Sequence, residues 1–385
     1  MSDRRAFAGL LAWWVVILTA VLFAIPGCQT LSYFTQAARG QWQIVSERQA
    51  IDGLVGGTGA AELGERLSTV QEVLVFATHT LMLPGDSSYR TYVELDRKYV
   101  VWNVFAAPRL SLVGEQWCYP IVGCAPYRGF FSEADALKLA EKLRASGLDT
   151  YVGGVAAYST LGWFEDSVLS SFVYWPPPDL VRLLIHELAH QRVWVRDDVR
   201  FNESYASFVA ERGSARWFAD KGQGGLLAEA RSRRAGVRRW RTLLLAVRDE
   251  LQIVYAARVP ETVRASARDK VYAALQACYL TGIERYGNGS LDDEMARVNN
   301  AYLISVSTYD DFQGAFGVLF TESGEQWEGF HAEVQRLGEM SGPERDAALR
   351  RLGEQHVAGA RDQDHTDQVQ CEALSGHGLG RKSLG

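Results

Sequence analysis

The segment Asp179 to Val195 limits the fold of this chain more than any other stretch. Leu180, Leu183, Leu184, Ile185, Leu188, Ala189 and Val193 make it apolar around most of a helical circumference, which predicts a buried helix. Pro176-Pro177-Pro178 precedes it, and Asp179 is the expected N-cap. The same helix carries His186, Glu187 and His190. Histidines four residues apart stand one turn apart on one face, so both rings can reach a single ion. Three ionisable groups on a buried helix are costly unless something compensates them, and a divalent cation does so. The bland alternative, an amphipathic helix with two incidental histidines, leaves that cost unanswered. Glu187 lies close to the same face, where it can hold a metal-bound water rather than the metal.

A catalytic zinc takes three protein ligands and keeps one position open. The third ligand is expected at Glu203, in a second helix that Asn202 would cap and Gly213 would end. The charged loop Arg196-Asp197-Asp198 supplies the reversal between the two helices. Glu211, two turns further on, competes for the ligand role. The plain alternative for Glu203 is a first-turn carboxylate favoured by the helix dipole. Zn2+ on these residues points to hydrolysis of a peptide substrate, with a zinc-activated water as nucleophile and Glu187 as general base. Glu211, Asp166 and Glu165 are candidate acceptors for the second ring nitrogen of each histidine.

The run His186-Glu187-Leu188-Ala189-His190-Gln191, followed by Asn202-Glu203-Ser204-Tyr205-Ala206, resembles the gluzincin peptidases. It is closest to the aminopeptidase N-like group, which carries HExxHQ and then NEGFA on the next helix. The resemblance implies zinc on His186, His190 and Glu203, with Glu187 as the base. It also implies a tyrosine or histidine that stabilises the oxyanion, for which Tyr205, Tyr309 and Tyr158 are candidates among 16 tyrosines. Two features depart from that group. The gap from His190 to Glu203 is shorter, and no GxMEN-type segment is present to grip a free amino end. The metal chemistry therefore carries over, and the exopeptidase specificity does not. An edge strand that pairs with the peptide backbone is also implied; Tyr151 to Thr160 reads as a strand, and Ala156 to Trp163 is placed to do this, with a buried β-turn region as the alternative.

A second resemblance spans more of the chain. Tyr33 to Gln41, Trp117 to Phe131, Ala157 to Phe164 and Asn299-Asn300-Ala301-Tyr302-Leu303 are similar to segments of a bacterial family of predicted aminopeptidases. The similarity runs from about Cys28 to about residue 350. It implies removal of N-terminal residues from peptides.

The N-terminus predicts a location. Arg4 and Arg5 precede an apolar run from Ala6 to Ile25, then Pro26-Gly27-Cys28, which resembles a bacterial lipobox. Cleavage would leave Cys28 as the lipidated first residue of a periplasm-facing, membrane-anchored lipoprotein. The alternative is an uncleaved single transmembrane helix, since some 20 apolar residues suffice to span a bilayer. Of the five cysteines, four remain after Cys28, an even number compatible with disulfides in an oxidising compartment. Cys118 and Cys124 flank a Pro-Gly turn and are the expected pair. A net charge of -6 gives no sign of nucleic-acid binding, and the basic run Arg231 to Arg241 reads as a solvated helix face.

The architecture expected is α+β: a mainly helical, zincin-like metallopeptidase with a small mixed β-sheet beside the HExxH helix. Residues 1–27 form the signal peptide, 28–355 the metallopeptidase domain and 356–385 a disordered tail. Within the domain, a helical and β part covers about 29–150, the metal-binding helices about 179–213 and a helical part about 225–350. Helices are expected at Tyr33–Gln49, Glu62–Leu81 and Ser132–Ser146, the last capped by Ser132 and ended by Gly147. Strands are expected at Tyr92–Leu95 and Tyr99–Val104. Gly225 to Tyr286 reads as long helix, and Leu291 to Leu303 as another. Two other functions fit the same residues: an endopeptidase, and a membrane-anchored binding or scaffold lipoprotein that has lost activity.

Overall fold

The structure is a computed structural model that describes residues 28–55, 61–85, 88–119, 123–157, 165–286, 289–306 and 312–360. It divides into two compact units, Met1–Glu47 and Arg48–Gly385. The described part of the first unit is helix α1 (Cys28–Ser46). The expected signal peptide, residues 1–27, lies outside the described residues, as does most of the expected tail. Among the described residues no helix is long and apolar enough to cross a membrane.

The second unit is mostly helical with small sheets, an α+β arrangement. Its first part holds α2 (Ile51–Leu54), α3 (Ala61–His79), α4 (Glu133–Ala145) and all eight strands. β1 (Gln49–Ala50), β2 (Thr91–Val93) and β8 (Val168–Leu169) form a mixed sheet in the order β1-β2-β8. β3 (Val101–Pro108), β6 (Arg128–Phe130) and β7 (Leu148–Val155) form an antiparallel sheet in the order β6-β3-β7. β4 (Trp117–Tyr119) and β5 (Gly123–Ala125) make a hairpin bridged by the Cys118–Cys124 disulfide. The single sheet expected from sequence is thus three separate pieces, because the strand-like runs are interrupted before they can pair across one surface. Ser132 caps α4 by accepting from the Asp135 N–H at 3.3 Å, and Gly147 leaves the helix at φ +87°.

The helical part follows: α5 (Ser170–Val173), α6 (Pro177–Arg192), α7 (Val199–Asp220), α8 (Gly224–Ala256), α9 (Glu261–Thr281), a 3-10 turn (Ile283–Tyr286), α10 (Asp292–Ala296), α11 (Asn300–Val306), α12 (Gln313–Glu322), α13 (Trp327–Gly338) and α14 (Gly342–Ala360). The long helix expected over Gly225–Tyr286 is two helices. Pro260 sits between them and supplies no N–H to continue the first. Leu291–Leu303 is likewise two short helices, α10 and α11.

Two apolar bodies hold this part together. Leu243, Leu244, Val247, Leu251, Val271, Leu275 and Tyr279 of α8 and α9 meet Tyr302 and Leu303 of α11 in one core. Phe201, Tyr205 and Phe208 of α7 meet Phe316, Phe320 and Phe330 of α12 and α13 in an aromatic cluster. Asn300 ties the first core to the sheet. Its amide donates to the carbonyls of Pro108, Arg109 and Ser111, and its oxygen accepts from the Tyr255 and Tyr272 hydroxyls. The Asn299–Leu303 motif is therefore a packing element.

Candidate metal centre

α6 is enclosed as its apolar circumference predicts: Leu180, Val181, Leu184, Ile185, Leu188 and Ala189 have no exposed surface. Its start is corrected. The cap position is Pro176 and the first turn holds Pro177 and Pro178, whose missing N–H groups have no partner to lose there. Asp179 is inside the helix and pairs with Arg233 and Arg234 of α8.

α7 also begins earlier than expected. Asp198 caps it, accepting from the Phe201 N–H at 3.0 Å. Asn202, read as the cap, is fully buried in the second turn. Its side chain accepts from the Val195 N–H at 2.8 Å and donates to the Val195 carbonyl at 2.7 Å, so it clamps the reversal loop. Gly213 does not end the helix. It is interior because a Cβ there would meet Leu81 Cδ1 at 2.6 Å and Ile185 Cγ2 at 3.2 Å. The glycine lets α7 approach α6 closely, and that approach brings Glu203 to the histidines.

His186 Nε2 and His190 Nε2 are 3.1 Å apart. Glu203 Oε2 is 3.3 Å from the first, and Oε1 is 3.5 Å from the second. Bonds of about 2.05 Å to nitrogen and oxygen in a tetrahedron give donor–donor edges of about 3.3 Å. The two nitrogens and the two carboxylate oxygens, each oxygen facing one histidine, are spaced close to that edge length. Two unprotonated ring nitrogens at 3.1 Å repel each other unless a proton or cation lies between them. The donors thus fit a metal ion, and His186, His190 and Glu203 are a group that can hold one.

The charges agree with this geometry. Burial pushes the Glu203 carboxyl up, but hydrogen bonds from His186 and His190, with their charge, outweigh it and hold the group down at about 2. Burial disfavours charge on His190, yet the Glu203 hydrogen bond and the charges of Glu203 and Glu187 raise its pKa overall. Glu187 moves the other way. Burial raises it most, Glu203 and Asp166 add to the rise, and the two histidines only partly oppose it.

The surroundings differ from expectation in several places. Among the described residues the Nδ1 atoms of His186 and His190 are buried without a hydrogen-bond partner, so none of Glu211, Asp166 and Glu165 serves them. Glu211 faces away, toward Arg182, Arg231 and Arg234. The basic run of α8 is accordingly paired in part rather than simply solvated. Tyr205, one of the oxyanion candidates, is fully buried, and its hydroxyl bonds His331 Nδ1 at 2.9 Å. Tyr309 and Tyr158 lie outside the described residues. So does most of the expected substrate strand; β7 ends at Val155 and packs on β3, α4 and α11, with Asp149 bonded to Arg268 of α9.

The segments that lead into β2 and β8 reach the metal helix. Gln191 donates to Ser88 Oγ at 3.0 Å and Asp166 Oδ2 at 3.3 Å. Beside it, Tyr89 is buried in the left-handed region at φ 62°, and its N–H donates to the Asp166 carbonyl. Burial, then the charges of Glu187 and Asp166, raise its hydroxyl pKa. Sequence reading missed Tyr89, because no residue type marks a left-handed tyrosine in advance.

With the site described, the comparisons become informative. The chain matches the family described as "Putative aminopeptidase" over residues 32–349. It belongs to that family. Comparison with curated proteins and with solved structures gives no match. The match covers both histidines, Glu187 and Glu203, and it supports a peptidase role for this member of the aminopeptidase family.

Proposed function

We propose that this protein is a zinc-dependent aminopeptidase of gluzincin type, held at a membrane by a lipid on Cys28. The observation that supports the metal reading is the convergence of two imidazole nitrogens and both oxygens of one carboxylate, each carboxylate oxygen within 3.5 Å of one of the nitrogens. Two imidazoles and one carboxylate suit zinc, and Glu187 follows the first histidine directly on the same helix. When bound, the ion supplies Lewis acidity toward a water and the scissile carbonyl.

The residues of the chain do the rest. His186, His190 and Glu203 would hold the ion, and the Asn202 clamp ties the start of α7 to the loop that leaves α6. Glu187 accepts the proton of the attacking water and delivers it to the leaving amine. Its raised pKa suits that exchange, because a base far below neutrality would hold the proton too weakly to pass it on. For the oxyanion we carry Tyr309 and Tyr158 forward on the resemblance alone.

Glu187→Gln tests the mechanism. The variant should keep one zinc per chain by elemental analysis and lose roughly 100- to 10,000-fold in kcat on peptide amides. Full activity in that variant would eliminate Glu187 as base. The absence of a GxMEN-type segment favours a second reading, an endopeptidase with the same centre. Parallel digestion of free and N-acetylated peptides separates the two, since an aminopeptidase cuts only the free set. A wild-type protein that binds zinc and cuts neither set would be a scaffold. The anchor has its own test: Cys28→Ser should move the protein from the membrane to the soluble fraction and remove acyl mass from its N-terminus.

A further inference from the structure

The loop between α6 and α7 presents an indole to the metal centre. Trp194 stands four residues after His190, and its ring meets the His190 ring edge-on, with centroids 5.4 Å apart and planes at 76°. Trp194 is 41% exposed, while His190 beneath it is almost wholly enclosed. His186 and Glu203 keep part of their surface exposed, and the indole stands against the third member of the group, His190.

Scattered exposed aromatics need no explanation. This one differs in its mounting. Asn202 bonds both backbone groups of Val195, the next residue. Arg345 of α14 clasps Asp198 through two nitrogens, at 2.8 and 2.6 Å. Asp197 turns the chain at φ 61°, and Gly338 at the end of α13 lies against Val195. A loop fixed at three points leaves the indole little freedom to fold away from water. Its immediate neighbours Val193 and Val195 are apolar, and Arg196 pairs with Asp197 at 3.5 Å, so the loop offers apolar surface rather than net charge.

We propose that Trp194 is a specificity-determining residue, its indole forming the wall that receives an apolar or aromatic substrate side chain flanking the scissile bond. This rests on the peptide-hydrolase reading above. A rigid aromatic contributes large contact area with little ordering cost, and an incoming ring can adopt the edge-to-face or offset geometry that aromatic pairs prefer.

The test uses the full zinc-loaded protein and two probes, acetohydroxamate and phenylalanine hydroxamate, with binding followed by calorimetry. Both probes chelate metal, but only the second carries a side chain. In Trp194→Ala, acetohydroxamate affinity should stay within about twofold, and phenylalanine hydroxamate should weaken roughly tenfold or more. Trp194→Phe should recover most of that loss. Hydrolysis should agree: the wild-type preference for phenylalanyl over glycyl substrates, read as a ratio of kcat/KM, should collapse in Trp194→Ala mainly through KM. Equal weakening of both probes would make Trp194 only a shield for His190 and overturn the proposal, as would no weakening of either. A preference for arginyl over phenylalanyl probes would also overturn it. Wild-type protein that takes up zinc but binds neither hydroxamate would instead defeat the hydrolase reading, and the subsite with it.

Discussion

At the scale of single residues, Glu203 and Tyr205 show how two positions on one helix turn can part in role. Glu203 gives both carboxylate oxygens to the histidine pair and is held at about 2, so it stays ionised at any pH where the protein works. Glu203→Gln should therefore lower zinc affinity at least about a hundredfold, more than loss of an outer partner costs, as a competing chelator would measure. Tyr205, two residues on, turns its phenol into the aromatic cluster and onto His331. Tyr205→Phe should leave kcat/KM within about threefold and cost about 1 kcal/mol of stability, the net worth of one hydrogen bond. A drop of 100-fold in kcat with zinc retained would restore Tyr205 as a catalytic group.

At the scale of elements, the centre is a helical hairpin whose two halves are brought together by a glycine. In an exposed helix, Gly→Ala stabilises by up to about 1 kcal/mol. Gly213→Ala should do the reverse. Its new methyl meets Leu81, which has no exposed surface and nowhere to move, with Ile185 behind. Overpacking of this kind costs about 1–3 kcal/mol, and urea denaturation would read it. Retained or increased stability would mean that the helices slide apart without loss. The hairpin also shows what a sequence discloses. His186, Glu187 and His190 were legible because helical spacing alone sets their face. Glu203 was legible from its order behind the loop, although the helix that carries it begins a turn earlier than Asn202 suggested. Asn202 itself was misread: its residue type favours a cap, but its partner is the backbone of Val195, which only the folded loop places within reach. Gly213 was misread for the same reason, since a glycine that ends a helix and one that admits a neighbouring helix look alike in a string. The sheets were least legible, because strands two or three residues long, such as β1 and β8, carry no period.

At the scale of the whole molecule, one buried histidine joins three parts of the second unit that are far apart in the chain. His331 of α13 lies between the end of α3 and α7. Its Nε2–H donates to the Leu81 carbonyl at 2.8 Å, and its Nδ1 accepts from the Tyr205 hydroxyl at 2.9 Å. A carbonyl can only accept, so Nε2 carries the proton and the neutral ring satisfies both partners. Burial lowers the His331 pKa most; the Leu81 carbonyl opposes this, Arg192 adds to it, and the result is about 4 against an ordinary 6.5. Because the folded pKa lies below the unfolded one, the unfolded chain binds the proton first as pH falls. The stability that neutral His331 contributes is therefore complete above about 6.5 and is lost progressively toward 4. The full difference corresponds to about 3 kcal/mol, of which roughly 2 kcal/mol should vanish between pH 7 and pH 5. Other groups titrate over the same window, so the comparison must be with a variant that cannot gain this charge. His331→Gln keeps a donor and an acceptor, and its unfolding free energy should fall less steeply than wild type between those two pH values, by roughly 2 kcal/mol. Parallel slopes for the two proteins would show that His331 takes up its proton equally in the folded and unfolded states, so that burial does not lower its pKa.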